Sequence, residues 1–160
     1  MTTNIQFARQ VAKHVQLKAI TLRRAQVESF LAPELALQGE ISITQQHRCT
    51  YQEKTGQGER EIHVLAEFKL RASKDDDDDG NLVTLDAAFV LVYGLPESVT
   101  LEPKCIQHFA ELNGAYNAWP YWREIVQTTT GRVGLAGIVI PVFRPIATKV
   151  AEEEEAATPD

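Results

Sequence analysis

Residues 113–144 read Asn-Gly-Ala-Tyr-Asn-Ala-Trp-Pro-Tyr-Trp-Arg-Glu-Ile-Val-Gln-Thr-Thr-Thr-Gly-Arg-Val-Gly-Leu-Ala-Gly-Ile-Val-Ile-Pro-Val-Phe-Arg. The pattern predicts a helix end, a tight aromatic link, a second helix from about Pro120 to Thr130, and an extended apolar segment. Pro120 suits the first turn of a helix, where its missing N–H costs nothing. Asn117 is placed to cap that helix, and Gly131 to give it a left-handed exit. Trp119, Tyr121 and Trp122 bring a large aromatic area to the link. Nothing in the stretch does covalent chemistry, so its value lies in apolar contact.

Upstream, Pro103 opens a helix on which Cys105, Phe109, Leu112 and Tyr116 mark one stripe. Before it the period changes to two. Ile62, Val64, Ala66, Phe68 and Leu70 alternate with Glu61, His63, Glu67 and Lys69, which predicts a half-buried strand. Leu35, Leu37, Ile41 and Ile43 alternate in the same way. Gly56 and Gly58 signal a turn, and the Asp-rich loop between Ser73 and Asn81 closes a hairpin. A fourth strand runs from about Leu82 to Tyr93. Its part Ala87–Val92 is apolar at both parities, so both of its faces call for cover. The first strand, about Gln16 to Phe30, switches parity between Leu17 and Ile20, where a bulge fits. Phe7, Val11 and Val15 suggest a short amphipathic helix ahead of it. Strands first and helices second make the fold class α+β: a four-stranded antiparallel sheet followed by a long helix, a shorter helix and an apolar C-terminal segment. The domain is expected over residues 1–145, with 146–160 as a disordered acidic tail.

The chain of 160 residues carries a net charge of −6, but nine of its 22 acidic residues sit in Asp75–Asp79 and Glu152–Glu155. The remaining 13 face 16 lysines and arginines, so the body is mildly basic. Runs of like charge repel themselves and stay solvated. They also oppose a phosphate backbone, so nucleic acid is not an expected partner. No apolar run approaches the roughly 18 residues of a membrane span, and no signal-peptide pattern opens the chain, which points to the cytoplasm. Cys49 and Cys105 form no disulfide framework. No P-loop, Rossmann fingerprint or nucleophile elbow is present. His47, Cys49, Cys105 and His108 can be gathered as zinc-type ligands, but a thiol on an apolar stripe is ordinary core. No catalytic residue, metal or cofactor is expected. Around Phe30-Leu31-Ala32-Pro33 the chain breaks its strand pattern yet stays apolar, either folded back on the core or exposed for contact with another chain.

In order and spacing the chain resembles the SecB family of protein-export chaperones. Val15-Gln16-Leu17-Lys18-Ala19-Ile20-Thr21 is similar to the family's opening strand, and Gly114-Ala115-Tyr116 to its helix end. Pro120-Tyr121-Trp122-Arg123-Glu124 is similar to the start of its next helix. Gly131-Arg132, Leu135 and Pro141 resemble its exit and apolar C-terminal strand. The resemblance implies a non-enzymatic, ATP-independent holdase that binds non-native chains in apolar grooves and assembles as a dimer of dimers, a homotetramer. On this reading clients contact Phe30, Leu31, Leu35, Leu37, Tyr116, Trp119, Tyr121 and Trp122. Phe109, Leu112 and Tyr116 face another subunit, and Glu152, Glu153, Glu154 and Glu155 dock a partner. Clients are unfolded preproteins, with SecA as the export partner. Ala19 and Arg23 stand where export members carry acids, and Ala136-Gly137 where the family has Pro-Pro. The segment Phe7–Arg24 looks more like the branch found beside toxin–antitoxin pairs, whose client is an antitoxin. An oligomeric adaptor without client binding is the remaining reading.

Overall fold

The computed structural model describes residues 2–31, 41–56, 58–74, 80–135 and 138–151. Helix α1 (Asn4–Ala12) is followed by strands β1 (Gln16–Ser29), β2 (Ile41–Thr55), β3 (Arg60–Lys74) and β4 (Asn81–Leu95). Three consecutive stretches, Pro103–Phe109, a π-wound turn Ala110–Gly114, and Ala115–Arg132, then form one helix of 30 residues, α2. The sheet is antiparallel throughout, with strand order β1-β4-β3-β2. The fold class is therefore the α+β class expected, but the aromatic link is absent and the two predicted helices are one.

Two residues account for that difference. Pro120 lies inside α2, where its fixed φ suits helical backbone although it leaves one carbonyl without an N–H partner. The flanking Trp119 and Trp122 are both buried, and their burial outweighs one lost bond of about 1 kcal/mol. Asn117 caps nothing: its Nδ2 donates to the Tyr93 hydroxyl at 2.9 Å. Nor is Gly131 the exit. The left-handed residue is Gly134, at φ 91°, and the Leu135 N–H reaches back to the Thr130 carbonyl at 2.8 Å.

The strands run longer than their apolar patterns. In β3 the residues Ile62, Val64, Ala66, Phe68 and Leu70 are buried in the core beneath α2, and β4 does the same with Leu85, Ala87, Phe89, Leu91, Tyr93 and Leu95, while Ala72 and Val83 pack with Leu135. Edge strand β2 is polar over most of its length, so alternation does not mark it beyond Ile43. Leu35 and Leu37 lie outside the described residues. The core is aromatic where α2 crosses the sheet: Phe68 stacks on Trp122 at 5.2 Å and meets Phe89 edge-on at 6.0 Å. Gly114 lets the backbone approach β3, since a Cβ there would sit 2.7 Å from Val64 Cγ1. Helix α1 starts in a capping box of Thr3 and Gln6, and its Phe7 stacks on His108 of α2 at 5.5 Å. After α2, residues 138–147 form no helix or strand. They run back along α2 to the N-terminus, where Thr3 and Lys149 form an antiparallel bridge.

Candidate functional site

Cross-strand partners point to the same face of a sheet. In β1, Leu17 pairs with Tyr93, Ile20 with Leu91, Leu22 with Phe89 and Val27 with Leu85. All four partners are buried beneath α2. The β1 side chains therefore stand on the helix side of the sheet, yet Leu17, Leu22 and Val27 are exposed, Leu22 by 53%. The reason is geometric. α2 packs over β4, β3 and β2 and leaves the β1 edge uncovered. Tyr121, half exposed on the β1 side of α2, reaches Phe89 with ring centroids 6.2 Å apart. Phe30, at the end of β1, is 60% exposed, and its N–H donates to the Leu82 carbonyl at 2.8 Å. An apolar shelf thus runs from Leu17 to Val27 with Tyr121 as its aromatic wall, whereas Phe30, opposite Leu82 and one step out of phase with Val83, stands at the strand's end off that row.

A second apolar hollow, of about 240 Å³, lies on the other flank of α2. Tyr116, Trp119, Pro120 and Arg123 line it from the helix, Val142 and Phe143 from the C-terminal segment. Trp119 Nε1 donates to the Pro141 carbonyl at 2.7 Å and so fastens that segment to the helix. His47 contacts Trp119 and Phe143 edge-on, at 5.6 and 5.7 Å. Burial holds its imidazole below the usual histidine range, which favours the neutral ring.

The expected contact residues separate into two sets. Phe30, Tyr116 and Tyr121 are exposed. Leu31 is half-buried against Ala72, Val83 and Leu135. Trp122 is wholly buried, with its Nε1 on Gln45 Oε1 at 3.2 Å, and Trp119 is 8% exposed; both shape the surface from beneath. Phe109, expected to face another subunit, is buried against Tyr93 at 4.9 Å, so it belongs to this chain's own core. Leu112 is half-buried and Tyr116 open. Leu35, Leu37 and Glu152–Glu155 are outside the described residues. Leu17, Leu22, Val27 and Val142 are surface residues that the sequence pattern did not single out. The parity switch at Leu17 was their signal: register shifts at Leu17/Ala19 and Leu22/Arg24 keep one apolar row on one face.

Little here supports covalent chemistry. Burial pushes the Cys49 thiol up to about 12 and raises that of Cys105, so neither is a ready nucleophile. Among the described residues, no three His, Cys, Asp or Glu side chains are grouped to hold a metal ion. No helix among the described residues is long and apolar enough to cross a membrane.

No protein-family model and no curated protein matches the sequence. Several solved structures share its architecture, among them the following two. One is a SecB-like chaperone of Mycobacterium tuberculosis in complex with a ChAD peptide from an antitoxin, with a TM-score of 0.71 and 18% identity, covering 88% of this chain and 98% of that one. The other is a protein of unknown function from Streptococcus agalactiae, with a TM-score of 0.50 and 10% identity, covering 79% and 96%. The fold expected from the resemblance is the fold found.

Proposed function

We propose that this protein is an ATP-independent holdase that binds non-native polypeptides on the apolar shelf beside α2. The observation that carries the reading is the exposed row Leu17, Leu22 and Val27, on the same face of the sheet as the core and left bare by the helix. Monomeric soluble proteins rarely leave such a row open without a partner. Each side chain of this size gains roughly 1.5–3 kcal/mol on burial, so a few weak anchors, less ordering costs, give affinities near micromolar. That suits a chaperone that must release what it holds. The direct test is suppression of aggregation of a slowly refolding client without nucleotide. Wild-type protein slows aggregation, while Leu22→Ser/Val27→Ser weakens the effect and keeps the fold. Unchanged suppression by this pair would falsify the shelf as the client site.

The likeness to a chaperone solved with an antitoxin peptide favours an antitoxin as the dedicated client. Loss of acids at Ala19 and Arg23 argues in the same direction, away from SecA and exported preproteins. An antitoxin-derived peptide that competes with the refolding client, and a preprotein that does not, would support this narrower reading. We place the protein in the cytoplasm, as a homotetramer without enzymatic activity.

A further inference from the structure

The hollow beside Trp119 holds one charge. Arg123 lines it together with Tyr116, Trp119, Pro120, Val142 and Phe143, and it is half-buried. Among the described residues, Arg123 has no hydrogen bond and no ion pair. On a helix an arginine finds partners three and four residues away, and here those are Trp119, Pro120, Val126 and Gln127. None is an acid. Its neighbour Glu124 points to another side of the helix and accepts from the Thr128 hydroxyl at 3.0 Å. No Asp or Glu lines the hollow among the described residues, and Asn117, its other polar residue, already donates to the Tyr93 hydroxyl. A guanidinium drawn partly out of water beside apolar walls is thus left without a counter-charge. The walls are mainly aromatic, with the Trp119 and Phe143 rings 5.2 Å apart, and they stay open to an arriving chain, since Tyr116 is 58% and Val142 55% exposed.

We propose that the hollow anchors one apolar side chain of a partner polypeptide that carries a carboxylate close by in its sequence, and that Arg123 selects the carboxylate. The proposal rests on the reading of this protein as a polypeptide binder, but places a second site on the flank of α2 away from the shelf. A carboxylate matches the planar fork of a guanidinium, and such charge-assisted bonds are stronger than neutral ones. The aromatic walls give the neighbouring apolar side chain, best an aromatic one, a surface to pack on. Size sets the occupant. About 240 Å³ is below the roughly 300–1,000 Å³ of a small-molecule pocket, so the hollow suits a single side chain rather than a whole nucleotide, which would also offer a ring and an anion. Arg123 thus adds a preference that the uncharged shelf cannot supply.

The test is an NMR titration of the isotope-labelled full-length protein with the end-blocked pentapeptide Glu-Gly-Phe-Gly-Glu, whose two acids allow either chain direction. The Trp119 indole N–H, which donates to the Pro141 carbonyl in the wall of the hollow, is the reporter. Saturable shifts with about millimolar affinity are expected, as befits one anchor. The matching Gln-Gly-Phe-Gly-Gln peptide is expected to bind about fivefold more weakly, and Glu-Gly-Ser-Gly-Glu to give no saturable shift. Arg123→Gln erases the preference for acid over amide, Arg123→Lys keeps part of it, and Arg132→Gln, with the same charge loss at the exposed end of α2, keeps all of it. If Arg123→Gln is unfolded by circular dichroism, the paired peptides on wild type still decide. The idea is wrong if the acidic peptide leaves Trp119 unmoved, if the amide peptide binds as tightly, if Arg132→Gln loses the preference as fully as Arg123→Gln, or if adenosine monophosphate binds more tightly than the peptide. Leu22→Ser/Val27→Ser is expected to leave the titration unchanged. Aggregation suppression by that variant reads the shelf and the Trp119 shifts read the hollow, so failure of one site is distinguishable from failure of the other.

Discussion

Gly114 and Gly131 occupy the same helix and should respond oppositely to alanine. A methyl group added at Gly131 would meet nothing within 4 Å, so Gly131→Ala gains helix propensity and stabilises by about 0.5–1 kcal/mol. At Gly114 the same methyl group meets Val64, a fully buried β-branched side chain with little freedom to yield. Overpacking costs typically 1–3 kcal/mol, which exceeds the propensity gain, so Gly114→Ala lowers stability by about 1 kcal/mol in urea denaturation. Val64→Ala made in the same chain recovers part of the loss. Trp122 and Tyr121 give a second contrast between neighbours. Trp122→Ala removes a wholly buried ring and costs about 3–5 kcal/mol, whereas Tyr121→Ser stays within about 0.5 kcal/mol and weakens client binding. His47 adds a pH dependence. Its folded-state proton affinity is lowered, so below its ordinary value of 6.5 the unfolded chain takes up the proton first. Stability contributed by neutral His47 is therefore present above that pH and declines below it. Melting temperatures followed from about pH 7.5 to about pH 5.5 should fall less in His47→Gln than in wild type.

At the scale of elements, what could be read in the sequence follows from what was buried. β3 alternates because one of its faces packs on α2, and β4 stood out as an apolar run, so both were legible. β2 is an edge strand whose outer half faces solvent, so Thr44 to Thr55 carry no apolar period, and only pairing with β3 reveals them. The two tryptophans around Pro120 explain the missed continuity of α2. Proline and asparagine there read locally as a helix start, while the burial that carries the helix through them is tertiary. The candidate site was half legible for the same reason. Aromatics at Tyr116 and Tyr121 stood out by type, but the exposure of Leu17, Leu22 and Val27 depends on which strand the helix leaves bare. The C-terminal segment is held to α2 through Trp119 and Pro141 and through Phe143. Phe143→Ala should loosen it, seen as faster hydrogen exchange at 138–147 with the sheet still protected.

For the whole molecule, the proposed homotetramer predicts that light scattering at micromolar concentration gives a multiple of 17.9 kDa. A monomer mass would remove the tetramer from the proposal. Truncation after Val150 should leave aggregation suppression unchanged, because the apolar side chains proposed to hold clients all lie before residue 144. The meeting of the two ends has a further consequence. The Asn4 side chain accepts from the Thr148 N–H and donates to the Ile146 carbonyl, and the Val150 N–H donates to the Thr2 carbonyl. These contacts span nearly the whole chain, yet they cost little to close once the sheet and α2 have brought the two segments together. During synthesis the sheet and α2 can assemble while α1 still lacks its C-terminal partner. A chain shortened to end before Ile146 loses every one of these bonds and leaves α1 held by its packing on α2 alone.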